Sequence, residues 1–537
     1  MKKYLAKYRT RFVFIGLLVF LLHGAKLNSH MIGIDTEDLI RLQGDFYGGW
    51  LHTGRQGLVF IKYLLGNLQF NPYYTGVMTL LFFAASVWAF LLLWDRVSGC
   101  MVRGRADFRT ASKNRLADLW AWGLGGFLWI SHPAMAEQFY FSLQSLEICI
   151  CLLLTALSLY LSYLWAKKFR LVWAIESIAL LLLTFSCYQS FVVLYIFGTA
   201  AIVFLQTLKD IQRKRELPGV NLLKRVLPYM IVFGVAFLIN MLITKFFFSS
   251  SNYLKEQILW GKAETKDCIH AVIGHVVKAF TGYDSIFYHW GLGVLAIIDL
   301  ALLIRFLLGN VKGRKGVVGV TLFYYLSLLA APFMMTVLLG CSPAIRSQLV
   351  LPVLTGFMGY LGIWFVRIEG GREKVPMREI RYKKIVFLLI GVMGVITGME
   401  QAKVTERLYY TDRCRYEQDA ALGRSMIERI EQANQGDDSL PVFVVGGREF
   451  TGNHACVTGE IIGRSFFSYD MDVLPRYYWS TRRALGFLHS LGADYNQLAE
   501  NQVTEALGYA SDMPVWPLED SVQERQGMII IKLSDEE

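Results

Sequence analysis

The stretch MIGIDTEDLIRLQG, residues 31–44, sets Asp35, Glu37, Asp38 and Arg41 close together just after the first apolar segment. A carboxylate can take the proton of an attacking hydroxyl as a general base. The planar fork of an arginine suits a phosphate. An acidic cluster can also hold a divalent cation, magnesium or manganese, through oxygen ligands. Helix grammar offers a plainer account. Asp35 can be the N-cap of a helix that starts at Thr36, with Asp38 at the third position, and acids in a first turn favour the helix dipole. One cap needs one acid, however, and three are present. Glu37 and Asp38 stand four and three residues before Arg41, so all three can share a face. The expectation is a charged site: Asp38 first as the base, Glu37 second, Asp35 mainly structural, and Arg41 as the cation.

Further polar side chains fall in SHPAMAEQFYFSLQS (131–145), FSCYQSF (185–191) and LGCSPAIRSQLVLP (339–352). Tyr140 and Tyr188 read most simply as interfacial anchors. Glu137 and Gln138 are polar groups near the bilayer surface; Gln144, Glu147 and Gln189 are harder to dismiss as anchors, because polar groups within spans usually face a bundle interior or a cavity. Arg346 is the only basic residue of its loop. It can bind a lipid headgroup, pair with an acid or hold a phosphate.

These residues need a frame that places them together. The chain has 537 residues, 54% of them hydrophobic, against about 45–50% in soluble domains. The apolar residues gather in runs such as GVMTLLFFAASVWAFLLLW, and runs of roughly 18 or more span a bilayer. Eleven spans are expected, near 12–27, 75–94, 117–132, 145–166, 171–187, 189–207, 226–247, 291–308, 317–340, 349–366 and 384–400. The fifth and sixth meet at Tyr188 and could be misread as one. Counting them as two makes one set of loops collect most of the lysines and arginines. Cytoplasmic loops are the basic ones, which puts the N-terminus inside and both the acids of 35–38 and the C-terminal tail outside. The first apolar run lacks a convincing cleavage site and reads as a retained span.

The net charge of +11 divides at residue 400. Residues 1–400 carry 41 Lys/Arg and 21 Asp/Glu; residues 401–537 carry 13 and 22. The basic excess is therefore a topology signal, and nucleic acid is not implied. The fold expected is a polytopic α-helical membrane protein, residues 1–400, with a small extracytoplasmic α/β domain, residues 401–537. In that tail DRCRYEQDAALGRSMIERIEQANQ reads as a helix stopped at Asn434-Gln435-Gly436, NQLAENQVTEAL as a further helix, and SLPVFVVGG and GMIIIKLS as short strands. The outside loop 28–74 is too long for a linker, and its amphipathic pieces suit the membrane surface. Eight cysteines show no paired metal-binding spacing. A disulfide between Cys414 and Cys456 is permitted outside the cell.

The order Glu37-Asp38, Arg41, Gly54-Arg55, the proline-led segment Pro133 to Ser145, Tyr188-Gln189-Ser190 and Arg346 resembles the type II O-antigen glucosyltransferases, with Glu37 where that family usually has Asp. The resemblance runs through nearly the whole chain. It implies the membrane-embedded glycosyltransferase fold known as GT-C and a bacterial cytoplasmic-membrane location. The implied reaction moves a hexose, glucose, from a polyprenyl-phosphate donor to a cell-surface glycan acceptor, with inversion. It further implies that Arg41, Arg55 and Arg346 face the leaving phosphate and that Glu137, Gln144, Tyr188 and Gln189 line the substrate site. The rival reading is a transporter or flippase of lipid-linked sugars, which would also need many spans; no internal repeat supports it. For the tail, a lid, an acceptor-binding surface and a partner-binding surface all stay open.

Overall fold

The computed structural model describes residues 2–28, 32–99, 108–214, 219–248, 256–311, 313–368, 377–468 and 474–535. Parts of the basic loop 95–116 and of the segment 248–290 lie beyond these. Among the described residues nine helices are long and apolar enough to cross a membrane. Two shorter apolar stretches, Leu119–Ile130 and Leu171–Phe185, occupy the third and fifth expected spans. The eleven positions are thus helical, but unequal in length. A 15-residue helix such as Leu171–Phe185 reaches about 22 Å, short of a hydrocarbon core of about 30 Å.

In chain order the helices that build the site region are α1 (Lys2–His23), α2 (Thr36–Leu42), α3 (Tyr47–His52), α4 (Gln56–Leu64), α5 (Pro72–Ser98), α6 (Phe108–Ile130), α7 (Ala134–Tyr140), α8 (Ser142–Lys168), α9 (Leu171–Phe185), α10 (Ser190–Gln212) and α11 (Leu227–Phe247). α9 stops at Phe185 and α10 starts at Ser190, so the Tyr188 junction is a turn between two helices. A large apolar core unites α1, α5, α6, α8, α10 and the later helices. Inside it a buried ion pair, Arg11 Nη1 to Asp95 Oδ2 at 3.0 Å, is shared with the Trp122 indole.

The described residues of the loop 28–74 fold as short helices. Gln43, with φ 49, breaks the run after α2. α4 lies against α8 and α9 and buries Leu58, Ile61 and Lys62. The Lys62 ammonium meets Glu147 on α8 at 3.1 Å, both fully enclosed. Glu147, a candidate for the bundle interior, therefore holds α4 in place.

The final span does not end at the membrane. α12 (Met377–Ala433) is one helix of 57 residues, about 85 Å long, and residue 400 lies within it. Asn434 then opens the expected turn, with Gln435 and Gly436 both at positive φ. Beyond it come β1 (Val442–Val445), α13 (Tyr478–Ser490), α14 (Val503–Ala510), β2 (Val522–Arg525) and β3 (Met528–Lys532). The sheet order is β1-β3-β2, with β1 parallel and β2 antiparallel to the central β3. NQLAENQVTEAL is helical only in its second half, after a 3₁₀ turn at Glu500–Gln502. Cys414 and Cys456 are free thiols, close enough for one to influence the other.

Candidate active site

The tail folds down onto the acidic loop, and α13 packs against α2. Gly486 of α13 leaves room for Glu37: a Cβ there would lie 3.0 Å from Glu37 Cγ. Glu37 is 3% exposed, its Oε2 has no hydrogen-bond partner, and burial pushes its pKa well above the carboxylate range. It is an enclosed wall group at the loop–tail junction, and burial favours its protonated form. Asp38 is half-buried and accepts from Arg482 Nε at 3.1 Å. Arg41 turns away to donate to the Tyr495 carbonyl at 3.0 Å, so it ties the loop to the tail.

Asp35 behaves differently. It takes the N-cap place of α2, but its backbone is left-handed, with φ 73, and its side chain makes no capping hydrogen bond. The capping expectation is corrected here: with the main chain turned into this region, the carboxylate no longer lies over the free N–H groups of the first turn. The residue is exposed to solvent although protein crowds it on most sides, as on the wall of an open cleft. Crowding raises its pKa; the nearby positive charges of Arg483, Arg346 and Arg55 work against that rise, and Asp38 adds to it. One accessible carboxylate among three arginines is the centre of the arrangement.

Each arginine is held by a different segment. Arg55 stands just before α4, its guanidinium 5.4 Å over the Tyr188 ring. Gly57 of α4 donates to the Ser186 carbonyl in the same α9–α10 turn. Arg346 lies in a 3₁₀ turn, Ile345–Ser347, 4.3 Å over the Phe141 ring. Ser190 donates to the Ser347 carbonyl at 2.6 Å, which ties the Tyr188-Gln189-Ser190 turn to the Arg346 turn. Gln189 is half-buried at the α10 N-cap position. Arg483 comes from α13. The 3₁₀ turn is also held from behind: Gln348 Oε1 accepts from Tyr288 at 2.6 Å and lies 3.2 Å from His275 Nε2, while Gln348 Nε2 donates to the Pro343 carbonyl. Burial lowers the His275 pKa and favours the neutral ring.

One expected substrate contact, Glu137, also serves the architecture. Glu137 is fully buried and accepts from the backbone N–H groups of Glu460, Ile461 and Ile462, the shortest at 2.7 Å. A Cβ on Gly459 would fall 2.0 Å from its Oε1, so only glycine lets this tail loop close over it. Glu137 thus clamps the tail to α7; burial raises its pKa to about 7. Gln144 is buried in the first turn of α8. Neighbouring Gln138 is enclosed with neither amide atom partnered.

A divalent cation does not fit the acids as placed. Asp38 is engaged by Arg482, Glu37 favours its proton, and Asp35 feels the positive charges of Arg483, Arg346 and Arg55. Among the described residues no three His, Cys, Asp or Glu side chains gather round a common point. The sequence reading did not single out Arg482, Arg483, His275, Tyr288 or Gln348. Adjacent arginines on an amphipathic tail helix look like a solvated face, and only the docking of the tail shows their use.

Such a fold, with nine helices among the described residues long and apolar enough to cross a membrane, defines a multi-pass helical membrane protein. Residues 24–363 match the family of the glucosyl transferase GtrII, and the chain belongs to that family. No curated protein and no solved structure matches it. The matched region takes in Asp35, Arg55, Tyr188 and Arg346 and stops before α12 and the tail.

Proposed function

We propose that the protein takes glucose from a polyprenyl-phosphate carrier and attaches it to a cell-surface glycan at the outer face of the bacterial cytoplasmic membrane, with inversion. The observation that supports this most is Asp35: a solvent-open carboxylate with Arg55, Arg346 and Arg483 around it. In this reading the acceptor oxygen bonds to the anomeric carbon as the bond from that carbon to the phosphate oxygen breaks. The hydroxyl proton passes to Asp35, and the lipid phosphate leaves as an anion facing the arginines. Asp38, engaged by Arg482, orients α2 against the tail. The order of the acids is therefore the reverse of the helix-cap reading, with Asp35 first.

The donor's chain also has a place. A cavity of about 630 Å³, mostly apolar, runs between α4, α9 and α11, and Gln56 and Gly57 on its wall directly follow Arg55 in the chain. An isoprenoid lying there brings its phosphate toward that guanidinium.

The test uses membranes bearing the full chain, a polyprenyl-phosphate-glucose donor and the glycan acceptor, with the product linkage read by nuclear magnetic resonance. Asp35→Asn is expected to lower kcat by about 10²–10⁴, the usual contribution of a general base. Transfer at near wild-type rate in Asp35→Asn would move the base to Asp38. Loss of lipid-linked sugar from the outer face, with no transfer in any assay, would remove the transferase reading.

A further inference from the structure

The end of the bundle opposite Asp35 contains a second charged cavity that the transfer reaction does not use. It has a volume of about 600 Å³ and lies between the ends of α8, α10 and α11, within the range of ordinary ligand pockets. α8 separates the two ends: its 27 residues, Ser142–Lys168, make about 40 Å of helix. Lys167, Lys209, Arg213, Lys224 and Arg225 line the cavity, and Asp210 is the single acid among its described wall residues. Asp210 accepts from Arg225 Nη2 at 2.6 Å. The other guanidinium nitrogen, Arg225 Nη1, is buried with no hydrogen-bond partner. The Lys167 ammonium donates to the Tyr163 hydroxyl and sits 4.0 Å over its ring, a neutral partner that leaves its charge uncompensated. Arg213 and Lys224 are exposed at the rim. The apolar side chains of Val97, Ala166 and Phe169 complete the wall.

A basic excess alone is what any cytoplasmic loop shows. A concave site walled by five cations, one of them an arginine with a buried and unpartnered N–H, is not. Buried donors are nearly always paired, and a planar guanidinium fork with ammonium groups beside it matches phosphate oxygens. Basic pockets between spanning helices on the cytoplasmic side are where anionic headgroups bind. We infer that this cavity binds a phosphate anion, carried by an anionic phospholipid of the inner leaflet or free in solution, and that the bound anion ties the ends of α8, α10 and α11 together.

The experiment uses full-length protein in phosphatidylcholine nanodiscs. Phosphatidylglycerol is titrated in one arm and inorganic phosphate in the other, with binding read by native mass spectrometry and by calorimetry. Arg213→Ala/Lys224→Ala is the pocket variant. Lys315→Ala/Lys384→Ala removes two exposed lysines elsewhere and keeps the charge count equal. Pocket-dependent binding of phosphatidylglycerol, weakened at least tenfold in the pocket variant only, establishes the lipid as the source. Pocket-dependent binding of inorganic phosphate without phosphatidylglycerol assigns the site to a soluble anion. Wild-type binding in the pocket variant, or equal loss in the control variant, overturns the inference.

Discussion

Asp35 holds its carboxylate by means of an unusual main chain. A left-handed aspartate costs of order 1 kcal/mol or more, and such a conformation persists where the surroundings over-determine it. Asparagine tolerates this region well, so Asp35→Asn should fold normally, with a melting temperature close to that of the wild type, and any loss of transfer can be ascribed to the missing base. Because crowding raises the Asp35 pKa from 3.8, the acid limb of kcat/KM should lie above the ordinary aspartate value, with activity rising as pH climbs through it. Arg483→Ala removes an opposing positive charge and should move that limb further up while weakening donor binding; a pH profile of each variant checks both. The cap grammar around residues 35–38 was readable in the sequence. What it could not show is that Arg482 lies 3.1 Å from Asp38 across 444 positions of chain.

At the scale of elements, hydropathy located all eleven apolar segments because burial in lipid leaves a long, continuous signal. The fifth is the shortest, a helix of 15 residues, Leu171–Phe185. β2 was missed: Val522-Gln523-Glu524-Arg525 is short, polar and on the sheet edge, and has no pattern of its own. The amphipathic character of α4 was visible, but its docking was not, since a lysine at Lys62 reads as a polar face until Glu147 is seen opposite. Breaking one partner of a buried pair typically costs about 3–5 kcal/mol, whereas replacing both with apolar groups is close to neutral. Lys62→Ala should therefore lower the melting temperature in detergent markedly, and Lys62→Met/Glu147→Leu should recover most of it. Equal losses in the single and double variants would show that the pair itself is not what fixes α4.

At the scale of the molecule, the tail is bound to the bundle by groups with different pH behaviour. Glu137 has a folded-state pKa of about 7 against 4.5 for the free side chain. Its contribution is fully present below about 4.5 and is lost as pH rises to about 7, an effect of up to about 3 kcal/mol. Thermal unfolding of the full chain should weaken across that window, and the Glu137→Gln variant should show a flatter pH dependence there. Deleting the chain after Ala433 removes Arg482 and Arg483 together with the Glu460–Ile462 clamp, so transfer should fall to background even if the membrane helices still assemble. The α/β character of the tail was legible from its strands and helix stop. Its use was not, because Arg483 and Arg482 become neighbours of Asp35 and Asp38 only in three dimensions.

The continuity of α12 through residue 400 has a mechanical corollary. A helix advances about 1.5 Å and turns about 100° per residue, so a rigid shaft joins the last span to the tail, and both the height and the azimuth of the tail are set by its residue count. One residue added between the membrane and Arg415 would swing the docking face by roughly a quarter-turn. The tail is therefore geared to the membrane rather than tethered to it, and homologous chains that change the length of this shaft would have to do so in near-whole turns or rebuild the tail's contact surface.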